Sequence, residues 1–253
     1  MPAVGAHYEF GQITLLHLTL EQREIIDENK EMFDLGLQGP DILFFYKPYV
    51  KNPISRIGHQ IHSTQASMFF SEMFFYDDVV ENRKKLAYLF GFICHYCLDK
   101  NCHPYIKSII KNQKEHRIIE AELDSFIIDL YNLPKTRYQY VPDNNIDITL
   151  LSEIFSMIGI GDIKKSIRDM RKYIKLLDKI ENIMMLEKIL SLNGTFSSMC
   201  LMQDKRYEEE TKNLAKIFHE SIKEAKELID EFYELSKGNI STLTKFSNNY
   251  EGA

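Results

Sequence analysis

Apolar residues along this chain recur at three- and four-residue steps, and the strict two-residue alternation of a half-buried strand is almost absent. The pattern is clearest far along the chain. Leu214, Ile217, Phe218, Ile222, Ala225, Leu228, Ile229 and Phe232 form one stripe of a helix predicted from Asp204 to Lys237 and closed by Gly238. A second long amphipathic helix is predicted from a cap at Asp162 to Leu192, with Asn193-Gly194 as its stop. Thr19 caps a shorter helix from Leu20 to Asp34, ended by Gly36. Others are predicted over 63–76, from a cap at Asp77 or Asp78 to His103, over 114–132 and over 147–158. Pro104 is expected to stop the helix before it. Gly36, Gly39, Pro40, Pro48 and Pro53 make 36–57 read as a long loop, 133–147 reads as another, and the polar tail from Asn239 reads as frayed. The expected fold class is all-α, a compact multi-helix single domain over 1–253, with long amphipathic helices in 147–237 packing on a half at 1–125. The same stripes are wide enough to face a second copy, so the pattern leaves oligomeric state open.

Composition narrows the function classes. With 44% hydrophobic and 27% charged residues in 253, the chain is globular rather than disordered or collagenous. A net charge of -6 weighs against a nucleic-acid binder with a broad basic surface, while leaving room for a small basic patch near a substrate phosphate. The most apolar run, Leu86 to Leu98, is too short to span a bilayer and is interrupted by His95. Three of the four cysteines lie between positions 94 and 102, unlike a disulfide framework. The start, Met-Pro-Ala-Val-Gly-Ala-His, has neither the basic opening nor the long apolar core of a signal peptide. The expectation is a soluble, reduced, cytoplasmic protein.

The histidines are unevenly placed: seven of eight lie within the first 116 residues. His95, Asp99 and His103 are spaced i, i+4, i+8, which puts them within an arc of about 80° on one helix face. Two imidazoles and a carboxylate so placed suit zinc. An aspartate among Leu89, Phe90, Phe92, Ile93 and Leu98 is costly unless paired or metal-bound, and an ordinary His–Asp hydrogen bond is the alternative. His116 and Glu120 repeat the i, i+4 spacing on the next helix, and Asp124, one turn on, is placed to orient a histidine ligand. His59 and His62 stand at i, i+3. The turn Gly36-Leu-Gln-Gly-Pro-Asp41 presents a carboxylate just before Phe44, Phe45 and Tyr46. Cys94, Cys97 and Cys102 read as small core residues rather than zinc ligands.

In order, His7, Gly39-Pro-Asp41, Gly58-His-x-x-His62, His95-x-x-x-Asp99-x-x-x-His103-Pro104 and His116-x-x-x-Glu120 resemble the zinc-dependent phospholipase C family, over about residues 1–125. That family shares an all-helical fold with the zinc nucleases that cut single strands. The resemblance implies a cluster of two or three zinc ions: Asp41, His59, His95 and Asp99 on one, His103, His116 and Glu120 on another, and His7 with the bridging Asp99 on a third. In the secreted members an N-terminal Trp completes that third site; this chain has no Trp, and a Pro2 amine freed by loss of Met1 is the substitute on offer.

The implied reaction is hydrolysis of a phosphodiester, phospholipid among the substrates, with transient contact at a membrane surface. Clustered dications neutralise the phosphate and activate water, and Asp41 is the expected general base. Tyr46, Lys47 and Tyr49 are candidates for a substrate rim, or simply pack on a proline loop. A nuclease with the same metals is an alternative that the acidic charge disfavours. A metal-binding protein that has lost activity is the other.

Overall fold

In the computed structural model, residues 3–48, 50–73, 83–189 and 207–253 are described, without the side chains of 113 and 181–189. The helix Arg83–Ile109 runs through their middle, and from Leu86 to Asp99 every residue is buried. A helix surrounded in this way needs apolar residues on all sides, and this one is not amphipathic. In order around it come α1 (Val4–Leu15), α2 (Leu20–Asp27), α3 (Lys30–Gly36), a 3₁₀ turn (Gly39–Phe45), α4 (Pro53–Ser63), α5 (Ala66–Glu72), the central helix α6 and α7 (Gln113–Leu130). A second 3₁₀ turn (Arg137–Tyr140), α8 (Ile148–Ile154), α9 (Ile160–Ile189) and α10 (Glu208–Ser236) follow. The architecture is all-α, with no strand among the described residues. No helix among them is long and apolar enough to cross a membrane.

Two glycines set the depth at which α3 lies on α6. A β-carbon on Gly36 would come within 2.1 Å of the Tyr88 carbonyl oxygen, and one on Gly91 within 2.2 Å of the Phe33 carbonyl oxygen. The helices meet backbone to backbone, which fixes where the chain emerges toward Asp41. On another side α10 buries the stripe read from its sequence, Ile217 only half-buried at its edge, with the Phe218 ring against Phe10 and the Phe232 ring against Phe90 and Phe70.

Several boundaries differ from expectation. Thr19 caps α2 through a reciprocal capping box with Gln22, but the helix ends at Asp27, where the Asn29 side chain turns back to the Ile25 carbonyl. The expected loop 36–57 holds the first 3₁₀ turn and the first full turn of α4. Two of its three prolines start elements rather than break them: Pro40 and Pro53 occupy first-turn positions, where a missing N–H costs nothing, and Asn52 caps α4, while Pro48 stays in the connecting turn. α6 continues past Pro104 to Ile109. The lost backbone hydrogen bond costs about 3 kcal/mol, offset by burial of His103 and Ile106 on the core side. The tail is not frayed: Phe246 and Tyr250 are fully buried, Phe246 stacked on Tyr96. Residues 74–82 and 190–206, which include the expected caps Asp77 and Asp78, the stop at Asn193-Gly194 and the start at Asp204, lie outside the described residues, as do Met1, Pro2 and Tyr49.

Candidate metal centre

Five elements deliver side chains to one place beside α6. α1 brings His7, the first 3₁₀ turn Asp41, α4 His62, α6 His95, Asp99 and His103, and α7 His116 and Glu120. All are buried except His116, which is half-buried at the edge. Asp99 is the hub. Its Oδ1 lies 3.3 Å from His7 Nε2 and 3.8 Å from His103 Nε2. Its Oδ2 lies 3.2 Å from His95 Nε2 and 3.8 Å from His62 Nε2. His62 Nε2 also sits 3.1 Å from Asp41 Oδ1. On the other flank Glu120 Oε1 receives His116 Nε2 at 2.8 Å and His103 Nε2 at 3.4 Å. Three sets, His7–His95–Asp99, Asp41–His62–His95 and His103–His116–Glu120, each place their ligand atoms within 4.8 Å of one another.

The backbone orients the rings. His95 Nδ1 donates to the Leu37 carbonyl at 3.1 Å, His62 Nδ1 to the Gly58 carbonyl at 2.8 Å and His103 Nδ1 to the Tyr250 carbonyl at 2.8 Å. These bonds assign the tautomers and leave each Nε2 facing the centre, as metal-ligating histidines are held. The donor set fits zinc, and one atom argues for a missing partner: His95 Nε2 is buried and makes no hydrogen bond even beside Asp99. A buried ring nitrogen left so is costly in a metal-free core and ordinary in a ligand.

Charge in the metal-free protein follows the geometry. Burial works to raise Asp99, yet the imidazoles of His103, His95 and His7 hold it well below the carboxylate range. Asp41 is likewise held down to about 2 against its burial, with His62 and His95 contributing. Glu120 is kept low against its burial, with His103 and His116 contributing. His103 is raised to about 10 against its burial by Asp99 and Glu120, and His62 is raised by Asp41 and Asp99. Burial lowers His7, helped by the His95 ring stacked on it at 4.1 Å.

The structure does not bring every expected residue to the centre. His62 takes the place expected of His59, which is exposed and rests on the Phe44 ring at 4.6 Å. The buried stripe of α4 is Ile54, Gly58 and His62, and His59 is turned about 100° from Gly58. Asp124 does not orient a histidine ring. Its Oδ1 accepts the Ala6 N–H at 2.8 Å and its Oδ2 the Arg137 Nε at 2.6 Å, so it anchors the start of α1 and thereby the residue before His7. Burial raises its pKa, and Arg137 offsets part of that. The Tyr46 ring lies under Lys47 and Lys165. Burial pushes the Cys94 thiol up to about 12 and raises Cys97 and Cys102, so all three are protonated core groups. The part of Tyr250 was not foreseeable, since a lone aromatic in a polar tail carries no signal of burial.

Comparison with curated proteins and with solved structures gave no match. The sequence profile of zinc-dependent phospholipase C matches residues 6–174, past the span carried by the motifs and into α9, and the chain belongs to that family.

Proposed function

We propose that this protein is a zinc-dependent phosphodiester hydrolase acting on phospholipid, with two or three zinc ions per chain. The observation that carries the reading is Asp99, one buried carboxylate with imidazoles facing both of its oxygens. Asp41, His62, His95 and Asp99 would hold one ion, His103, His116 and Glu120 a second, and His7 with Asp99 a third. Zinc bound there supplies the charge that neutralises a phosphodiester and lowers the pKa of a bound water.

The chain's own residues do the rest. Asp41 is ionised throughout the working range and oriented by His62, so it can accept a proton from the attacking water without first losing one. Leu37, Gly58 and Tyr250 hold the rings so that no reorganisation is needed when substrate arrives. A phospholipid substrate requires transient contact with a membrane surface. The net charge of -6 disfavours a polyanionic nucleic acid, although a dication cluster still draws a single phosphodiester.

The test is turnover of bis(p-nitrophenyl) phosphate and of phosphatidylcholine, before and after chelation, in the wild type and Asp41→Asn. Zinc-dependent turnover that falls by about 10² or more in the variant is expected. Full zinc and full turnover in Asp41→Asn would remove it from both roles and leave Glu120 as the candidate base, because Asp124 is committed to Ala6 and Arg137. Bound zinc without turnover of either substrate would favour a binding protein.

A further inference from the structure

One cavity shares no lining residue with the metal centre. It has a volume of about 600 Å³ and opens between α9 and the chain from Tyr138 to Ile148. Its rim carries Lys164, Arg168, Arg171, Lys172 and Lys175 against a single carboxylate, Asp143, on a chain whose net charge is -6. Lys164, Arg168 and Lys172 stand at i, i+4, i+8 on α9, and all three are exposed. Like charges at that spacing destabilise a helix, and a bound anion relieves them.

The cavity walls are built rather than incidental. The Tyr138 N–H donates to Asp178 Oδ2 at 3.2 Å, and Arg171 Nη1 donates back to the carbonyls of Tyr138 and Val141. Arg171 also meets Asp143 at 2.9 Å, so its charge is spent on holding the wall. Among the described residues Lys164, Lys172 and Lys175 make no ion pair, and Lys175 sits 5.2 Å over the Tyr138 ring. The floor is apolar, formed by Ile146, Ile148 and Ile167. Free cations around an apolar floor, in a volume typical of small-ligand sites, select a particular chemistry: several phosphate charges on a carbon framework.

We propose that this cavity binds a multiply phosphorylated organic anion, either free in solution or as the headgroup of a lipid. The soluble probe is inositol trisphosphate, titrated calorimetrically into the intact protein. The lipid probe is phosphatidylcholine vesicles with and without phosphatidylinositol bisphosphate, read by co-sedimentation. Saturable binding is expected, weakened at least about tenfold in Lys164→Gln/Lys172→Gln. It should be unchanged in Lys223→Gln, which alters an exposed lysine of α10. Both substitutions are at exposed positions and leave the fold intact, which a thermal melt verifies. Binding of the trisphosphate alone identifies a soluble ligand, and added binding of the phosphorylated vesicles identifies a lipid headgroup. Absence of saturable binding of both probes, or equal affinity in the wild type and the double variant, overturns the proposal. Binding that persists in zinc-free protein separates this site from the metal centre, so the two readings fail independently.

Discussion

Gly39 lies so close to the imidazole of His95 that a β-carbon on it would come within 2.3 Å of the ring Cδ2. Its φ of +52° is left-handed, a conformation that glycine adopts at little cost. One residue thus turns the chain after α3 and lets the first 3₁₀ turn lie against α6. That close approach is what carries Asp41 to the ring of His95.

Gly39→Ala should therefore damage the metal centre from outside the ligand set. Strain at positive φ, with displacement of His95, is expected to cost about 1–3 kcal/mol. Zinc content should fall as well. Thermal melting and elemental analysis check this together, and a variant with normal zinc and a normal melting temperature would show that the contact does not position His95.

The second prediction separates the two histidines of α4. His62→Ala should lose zinc from the site shared with Asp41, because His62 Nε2 faces both Asp41 and Asp99. His59→Ala should keep it, because that ring is exposed on Phe44. Metal retained by His62→Ala and lost by His59→Ala would restore the assignment expected from sequence.

The stripe on α6 was legible in the sequence because i, i+4, i+8 spacing survives any packing of the helix that carries it. His116 and Glu120 were legible for the same reason. His59 and His62 were not separable, since residues three apart lie about 60° from each other and either can face inward. The choice was made by Ile54 and Gly58, which turn α4 by its apolar side. α1 gave little warning, because its polar and apolar residues are mixed around the helix and Asp124, far along the chain, secures its start. The prolines at 40, 53 and 104 misled by a common route: as punctuation they suggest breaks, yet two sit where a helix begins and the third is tolerated under tertiary burial. Tyr250 reaches His103 through a backbone carbonyl, and carbonyls leave no mark in a sequence.

The third prediction concerns pH. In the zinc-free protein His103 is raised from 6.5 to about 10. A raised pKa stabilises the fold fully below the unfolded value, and that stabilisation is lost as pH rises through the folded value. Zinc needs the neutral ring, so binding must release the proton at neutral pH and releases less as pH rises. The zinc-free protein should lose melting temperature between pH 6.5 and about 10 from this group, and the stabilisation by zinc should widen over the same window. Paired melts with and without zinc measure it; a gap that stays constant or narrows with pH would refute the role given to His103.

The most direct test of the central claim is zinc per chain, measured by elemental mass spectrometry on wild-type protein and Asp99→Asn purified with zinc present. With Asp99 as the hub of the cluster, the wild type should carry two or three ions. The variant should lose those that depend on Asp99, keeping at most the ion held by His103, His116 and Glu120. A wild type without zinc, or an Asp99→Asn variant with the full complement, would contradict the account.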